Sequence, residues 1–271
     1  MSTSRTLRSQ RPSSSTDSKA KTVTIDLHVP ASWGEMTQQQ LRYTLWLLVH
    51  FADHTVVKTY MFCRFAGVNI IRKTRYGWKC KIDGIARAVY IRTWEIQEFI
   101  HQLDYIDSYD GFDGRLDAVD GYHATDVLLQ GVTFETYLNA EKYYQNFQQT
   151  KDDKWIACLA CQLYEDDEGN NPNKMELSPE ETLGTMLWYA HVKQVLSREF
   201  KHFFRPAPSN SDDVDQPDYL EIYNNELRAL TGGDITKEEE VLQMDTWRAL
   251  TELDAKAREA EELEKIRNRH K

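Results

Sequence analysis

Cys158 and Cys161 frame a Cys-Leu-Ala-Cys tetrad, a spacing at which two thiolates can share a metal ion or close a redox-active disulfide. A closed tetrahedral zinc site needs two further ligands. The other cysteines, Cys63 and Cys80, are 17 positions apart (80 − 63) with no histidine pair nearby. A redox dithiol belongs at a helix N-terminus, where the helix dipole lowers the thiol pKa, whereas Trp155 and Ile156 place this pair in mid-helix. Small buried core residues are the better reading, because a free cysteine packs as a small hydrophobe.

A second candidate is acidic. From Asp104 to Asp126 there are seven aspartates against Arg115, net −6, with three Asp-Gly pairs at 110, 113 and 120. Carboxylates and tight glycine turns suit a hard cation such as calcium. The spacing 107, 110, 113, 117 and 120 nonetheless departs from the alternate-position pattern of an EF-hand loop. A solvated surface loop, or a contact to the chain's own basic segment, explains the run better, and no metal site is assigned.

That basic segment is the third candidate. Nine basic residues stand against one acid, Asp83, between Lys58 and Arg92, net +8. Arg72, Lys73, Arg75, Lys79 and Lys81 are interleaved with Tyr76, Trp78 and Tyr90, and further on come Arg87 and Arg92. Cations could hold phosphates while aromatic rings stack on bases. The competing reading is a β-hairpin filled by aromatics, its edges coated with charge against aggregation. The eight histidines are scattered, and no HExxH, GxSxG or glycine-rich phosphate loop is present. No catalytic residue is assigned, and the chain reads as a non-enzyme without a cofactor.

These segments need a scaffold. The chain's 271 residues, 41% hydrophobic and 11% aromatic, suit a folded body with an appendage, and no apolar run approaches the roughly 20 residues of a membrane helix. Residues 1–22 carry eleven Ser or Thr and five basic residues but no apolar signal core, so they read as a disordered tail. Four unpaired cysteines without a secretion signal imply a reducing compartment, with the cytoplasm as the expected location.

Alternation of Val23, Ile25, Leu27 and Val29 predicts a strand. Thr37 with Gln40 opens a helix expected to be buried on most sides, and a second runs from His54 to Ala66 with Gly67 as its stop. Residues 68–92 read as two or three short strands turning at Tyr76-Gly77 and Asp83-Gly84, and Thr93 is expected to cap the helix that follows. Thr133 opens one helix, and another spans Trp155 to Leu163. Ser178, Pro179 and Glu181 open a third, expected to continue to Pro206. The composition of 206–216 predicts a linker before a helical appendage over 217–271. Its helix ends at Gly232-Gly233, Thr236 with Glu239 caps a short helix, and Asp245 caps the last one. That last helix carries a seam of Trp247, Leu250, Leu253, Ala257 and Ala260. The fold class is mainly α (α+β), with the body over 23–205.

GVTFETYLNAEKYYQNFQQTKDDKWIACLACQLY, LSPEETLGTMLWYAHVKQVLSREFKHFF and EEEVLQMDTWRALTEL resemble stretches of phage and prophage tail-module proteins, tail-assembly chaperones among them. The resemblance rests on Thr133-Phe134 with Tyr137, on Leu159-Ala160 through Leu163-Tyr164, and on the VLQMDTWRALTEL ending, over about half the chain. It implies an assembly factor or virion component in the host cytoplasm that self-associates or binds a tail protein such as the tape measure. It leaves the first strand and the basic hairpin unexplained. The expected partner-binding residues are Trp247, Leu250, Leu253, Tyr219, Tyr223 and Leu227. The alternative is a nucleic-acid-binding protein using Arg72, Lys73, Arg75, Trp78, Lys79 and Lys81.

Overall fold

The computed structural model describes residues 5–9, 23–205 and 219–269, so the expected linker over 206–216 and most of the N-terminal tail lie outside it. The chain divides into two compact units, one ending at Gly114 and the other beginning at Arg115. The fold is mainly helical with small antiparallel sheets, as its patterning predicts.

In the first unit, β1 (Arg5–Ser9) pairs antiparallel with β2 (Val23–Leu27), so part of the tail read as disordered forms a strand. Backbone pairing is the reason: β2 offers a row of donors and acceptors that a polar segment can satisfy as well as an apolar one. α1 (Gln38–His50) starts at Thr37, whose hydroxyl accepts from the Gln40 amide at 3.3 Å while the Gln40 side chain accepts from the Thr37 amide at 2.9 Å. This helix is less enclosed than expected. Leu41, Leu45 and Leu47 are buried, but Trp46 and Val49 are each 39% exposed, and Trp46 stacks on His50 at 4.3 Å on the outer side.

Asp53 caps α2 (His54–Phe65), and Gly67 ends it with φ +63°, a conformation that a side chain would strain. β3 (Val68–Thr74), β4 (Gly77–Ile82) and β5 (Val89–Arg92) form one sheet with β4 in the centre. α3 (Thr93–Gln102) begins at Thr93, so the cap falls one residue earlier than expected, where the Glu95 carboxylate accepts from the Arg92 amide at 2.7 Å. Its Phe99 ring stacks on Phe62 of α2 at 5.0 Å, joining the helices over the buried side chains of Cys80, Ile82 and Ile91.

The second unit contains a small sheet of β6 (Ala118–Val119), β7 (Tyr122–Ala124) and β8 (Tyr164–Glu165). Asp120 and Gly121, both with positive φ, make the β6–β7 turn, so the last Asp-Gly pair of the acidic run closes a hairpin rather than an open loop. Thr133 caps α4 (Phe134–Thr150), α5 (Lys154–Leu163) packs against α4, and Ser178 caps α6 (Pro179–Glu199) through the expected box with Glu181. α6 stops well before Pro206. Asp254 accepts from the backbone amides of His202 and Phe203 at 2.8 and 3.0 Å, holding the chain in turns beyond Glu199.

α7 (Tyr219–Thr231), α8 (Glu238–Leu242) and α9 (Thr246–Arg269) complete this unit. They are not an appendage to it. The Phe134 amide donates to Met244 O at 2.7 Å, the Thr246 amide to Val132 O at 2.9 Å, and the Asp245 carboxylate accepts from Gly131 and Arg248 amides. The turn before α8 is capped by Asp234 rather than by Thr236. No helix among the described residues is long and apolar enough to cross a membrane.

Because Leu250 is fully buried in this unit, Leu250→Ala should cost about 2–5 kcal/mol, the range for truncating a core leucine. Urea denaturation measures it; a change below about 0.5 kcal/mol would mean that α9 is dispensable to the fold.

Candidate functional site

The six residues expected to bind a partner are mostly occupied within the second unit. Leu227, Leu250 and Leu253 are buried, at 5%, 0% and 4% exposure. Trp247 donates its indole N–H to Leu128 O at 2.7 Å and meets the Phe200 ring edge-on at 5.4 Å. Tyr223 is half-buried, and the side chain of Tyr219 lies outside the described set. Leu227, Leu250, Leu253 and Trp247 thus grip a surface that belongs to the same chain.

What remains open on α9 lies further along. Ala257 is half-buried and Ala260 exposed, and beyond them Leu263 is 68% and Ile266 52% exposed, turned away from the face that Leu250 and Leu253 bury. Glu261 marks the transition. Its carboxylate lies 3.6 Å from His202, 3.3 Å from Arg205 and 3.7 Å from Lys265; burial would raise its pKa, but Arg205, the hydrogen bond with His202 and Lys265 hold it down.

The basic residues are divided by the sheet. A bulge between Ile70 and Arg72 resets the register, so that Arg72 faces Lys79 and Lys73 faces Trp78 across the β3–β4 ladder. Val68, Ile70, Cys80, Ile82, Val89 and Ile91 point to the core side, and Trp78 goes with them, 6.5 Å from Phe62. Lys73 covers that indole at 5.0 Å. Trp78 and Lys73 therefore do not share the outer face on which Arg72, Lys79 and Lys81 stand exposed. Arg75, at the β3–β4 turn, lies 5.8 Å over the exposed Tyr76 ring.

The acidic run is drawn into ordinary structural contacts. Asp104 and Asp107 hold Lys58 at 2.6 and 2.5 Å, and His54 and His101 lie 3.2 and 3.1 Å from the same two carboxylates. Burial alone would lower the Lys58 pKa, but the hydrogen bonds it donates to both aspartates outweigh that and raise it; Lys58 in turn lowers that of Asp104. Asp120 accepts from the Glu176 amide at 3.2 Å. No group of three or more His, Cys, Asp or Glu among the described residues is placed to hold a metal ion. All four cysteines are free thiols. Burial raises the pKa of Cys63 and Cys161 and pushes that of Cys80 up to about 11, which makes these three weak nucleophiles.

No protein-family profile matches the chain, and neither a curated protein nor a solved structure matches it. The arrangement of its own residues must carry the functional argument.

One cluster escapes sequence reading because its members come from three distant helices. Glu141 of α4 binds Lys193 of α6, accepts from the Tyr189 hydroxyl at 3.2 Å and from Gln145 at 2.9 Å. Glu226 of α7 is directed toward the same charges, with its Oε2 shielded and unpartnered. Burial, and then the nearby Glu141 carboxylate, push the Glu226 pKa up to about 8 against a partial opposing effect of Lys193. A protonated Glu226 can sit there without a counterion. Nothing in the spacing of Glu141, Lys193 and Glu226 along the chain signals this meeting.

The sign follows from that shift. Since the folded pKa lies above the unfolded one, the folded state has its full stability below about pH 4.5 as far as this group is concerned. It loses stability as pH rises toward about 8. Glu226→Gln should therefore stabilise the protein clearly at pH 8 and little at pH 5. Thermal melts of both proteins at the two pH values test this, and an equal effect at both would remove the buried acid from the account.

Proposed function

We propose that this chain is a non-enzymatic assembly factor that engages a protein partner through the outer part of α9. The observation that carries the reading is an exposed apolar pair, Leu263 and Ile266, one turn apart on the outer half of a single 24-residue helix whose inner half is anchored in the core. Leu253 is buried at 4%, while Leu263 and Ile266 are 68% and 52% exposed. The inner half anchors the helix, so the outer half reaches a partner without paying the full entropic cost of ordering a free segment. An amphipathic helix of this kind suits a groove or a second helix that receives residues at intervals of three or four.

The resemblance to tail-module proteins supplies the kind of partner: another structural component such as a helical tape-measure protein, with the chain acting in a phage tail module in host cytoplasm or remaining in the virion. The burial of Leu250 and Leu253, and the contacts of Trp247 to Leu128 and Phe200, move the proposed contact outward, to the region after Ala260.

Truncation after Glu261 keeps the pairs to His202 and Arg205 and removes only exposed residues among those described. The truncated protein should melt within about 0.5 kcal/mol of the full chain, as expected for surface changes. It should also fail to co-purify with the co-expressed tape-measure protein of the same genome. Undiminished co-purification would overturn the role given to α9.

A further inference from the structure

The outer face of the β3–β4–β5 sheet concentrates cations where the fold gains nothing from them. Arg72 and Lys79 stand directly opposite each other across the ladder, and Lys81, two residues along β4, faces Asn69. Like charges directly opposite on a sheet repel. No carboxylate among the described residues lies within ion-pair distance of Arg72, Lys79 or Lys81, and all three are exposed. Asp83, the acid nearest along the strand, accepts from Asn69 at 3.2 Å. Charge on an edge strand protects against aggregation, which could account for Arg72 on β3. It cannot account for Lys79 and Lys81, because β4 is the central strand.

Tyr90 lies on the same face, and two exposed rings, Tyr76 and Trp94, stand at the hairpin end of the sheet. Tyr90 is the β5 partner of Lys79, and its hydroxyl reaches Thr74 of β3 at 2.7 Å. To do so the side chain must cross β4, and it crosses where Gly77 lies between Thr74 and Arg92 in the register. A side chain at Gly77 is barred, since a Cβ there would lie 2.1 Å from Ile91 O. The ring is thus pinned along the sheet beside Lys79. At the hairpin tip, the Thr93 amide donates to Tyr76 O at 3.1 Å, bringing the exposed Tyr76 next to the start of α3 and the exposed Trp94.

We infer that this face binds single-stranded nucleic acid, with Arg72, Lys79 and Lys81 on successive phosphates and Tyr90, Tyr76 and Trp94 offering surfaces on which unpaired bases stack. The chemistry is that of a stacking platform crossed by a cationic track, and it is sequence-tolerant because every base has a π-face. An anionic bilayer would also attract the cations, but Tyr90, the ring beside them, is held along the sheet by Thr74, an orientation that suits stacking rather than insertion. This inference is independent of the role proposed for α9.

Fluorescence anisotropy of the full chain with labelled short oligo(dT) and oligo(U) tests it across a salt series. The wild type should bind at least one of them at low salt, with log Kd rising linearly with log salt. Lys79→Glu with Lys81→Glu should weaken binding at least tenfold and reduce the salt slope by about 1.4, at about 0.7 per lost phosphate contact to a single strand. Because this change also relieves the repulsion with Arg72, its melting temperature should not fall. If it does, Lys79→Gln with Lys81→Gln serves instead, with the same expected loss of slope. Trp94→Ala should lower affinity while leaving the slope unchanged, and truncation after Glu261 should leave oligonucleotide binding intact. Absence of binding to either oligonucleotide at low salt overturns the inference, as does unchanged affinity in both Lys79/Lys81 variants. Binding to phosphatidylserine vesicles without binding to oligonucleotides would overturn it in favour of a membrane surface.

Discussion

The second unit depends on how the segment from Leu128 to Thr133 meets residues 244–247. A loop packed beneath a helix leaves carbonyls that water cannot reach, and each one unpaired would weaken the fold. Trp247 supplies a donor to Leu128 O, the Thr246 hydroxyl donates to Val132 O at 2.8 Å and to Thr133 O at 3.1 Å, and Asp245 receives the Gly131 amide. The start of α9 is thus the hydrogen-bonding complement of the turn before α4. Burial of Ala249, Leu250 and Leu253 follows from that placement, and so does the line along which the rest of the helix runs.

The first unit is governed by a different constraint, the separation of two faces on one small sheet. Its inner face needs apolar side chains from all three strands, and the bulge after Ile70 lets β3 supply them and then turn Arg72 outward. The same bulge leaves Ile71 58% exposed, a local cost of re-aiming the strand. On the other side of the unit, the acidic residues neutralise a different cation: Asp104 and Asp107 close around Lys58, which is only 6% exposed. Asp104 and Asp107 are therefore engaged by Lys58 and not by the sheet cations. One buried lysine takes up two carboxylates, and the exposed sheet cations keep their field.

The legible parts of this fold were those specified locally. Thr37 with Gln40, Ser178 with Glu181, Thr133 and Gly67 each act within a few residues, so their roles can be read from spacing alone. The three strands over 68–92 were legible for the same reason. The partition of faces was not, because a one-residue bulge inverts which side chains share a side, and this put Arg72 on the face opposite Trp78 and brought Lys73 over the indole. Nor was the integration of α9: a Pro-, Ser- and Asp-rich stretch looks like a boundary, whereas the pairing of Thr133 with Asp245 joins residues more than a hundred positions apart. Glu226 was invisible for a related reason, since an isolated glutamate in an amphipathic helix reads as solvated until α4 and α6 are brought against it.

The outer part of α9 has to remain helical without a core beneath it. Ion pairs along the helix help: Lys256 lies 3.5 Å from Glu252 and Lys265 lies 3.7 Å from Glu261, each at the i,i+4 spacing that adds a few tenths of a kcal/mol to an exposed helix. Such pairs alone do not hold a helix of a few turns in water. The decisive contribution is propagation from an anchored first half, because once the inner turns are fixed each added residue forms a hydrogen bond without a new nucleation cost. Glu261 extends that anchoring by tying the helix to His202 and Arg205 at the turn where burial ends. Leu263 and Ile266 follow within the next two turns, near enough to the anchor to be held in register and far enough along to be exposed. A free helix carrying the same two residues would have to be ordered by its partner; here most of that ordering belongs to the fold.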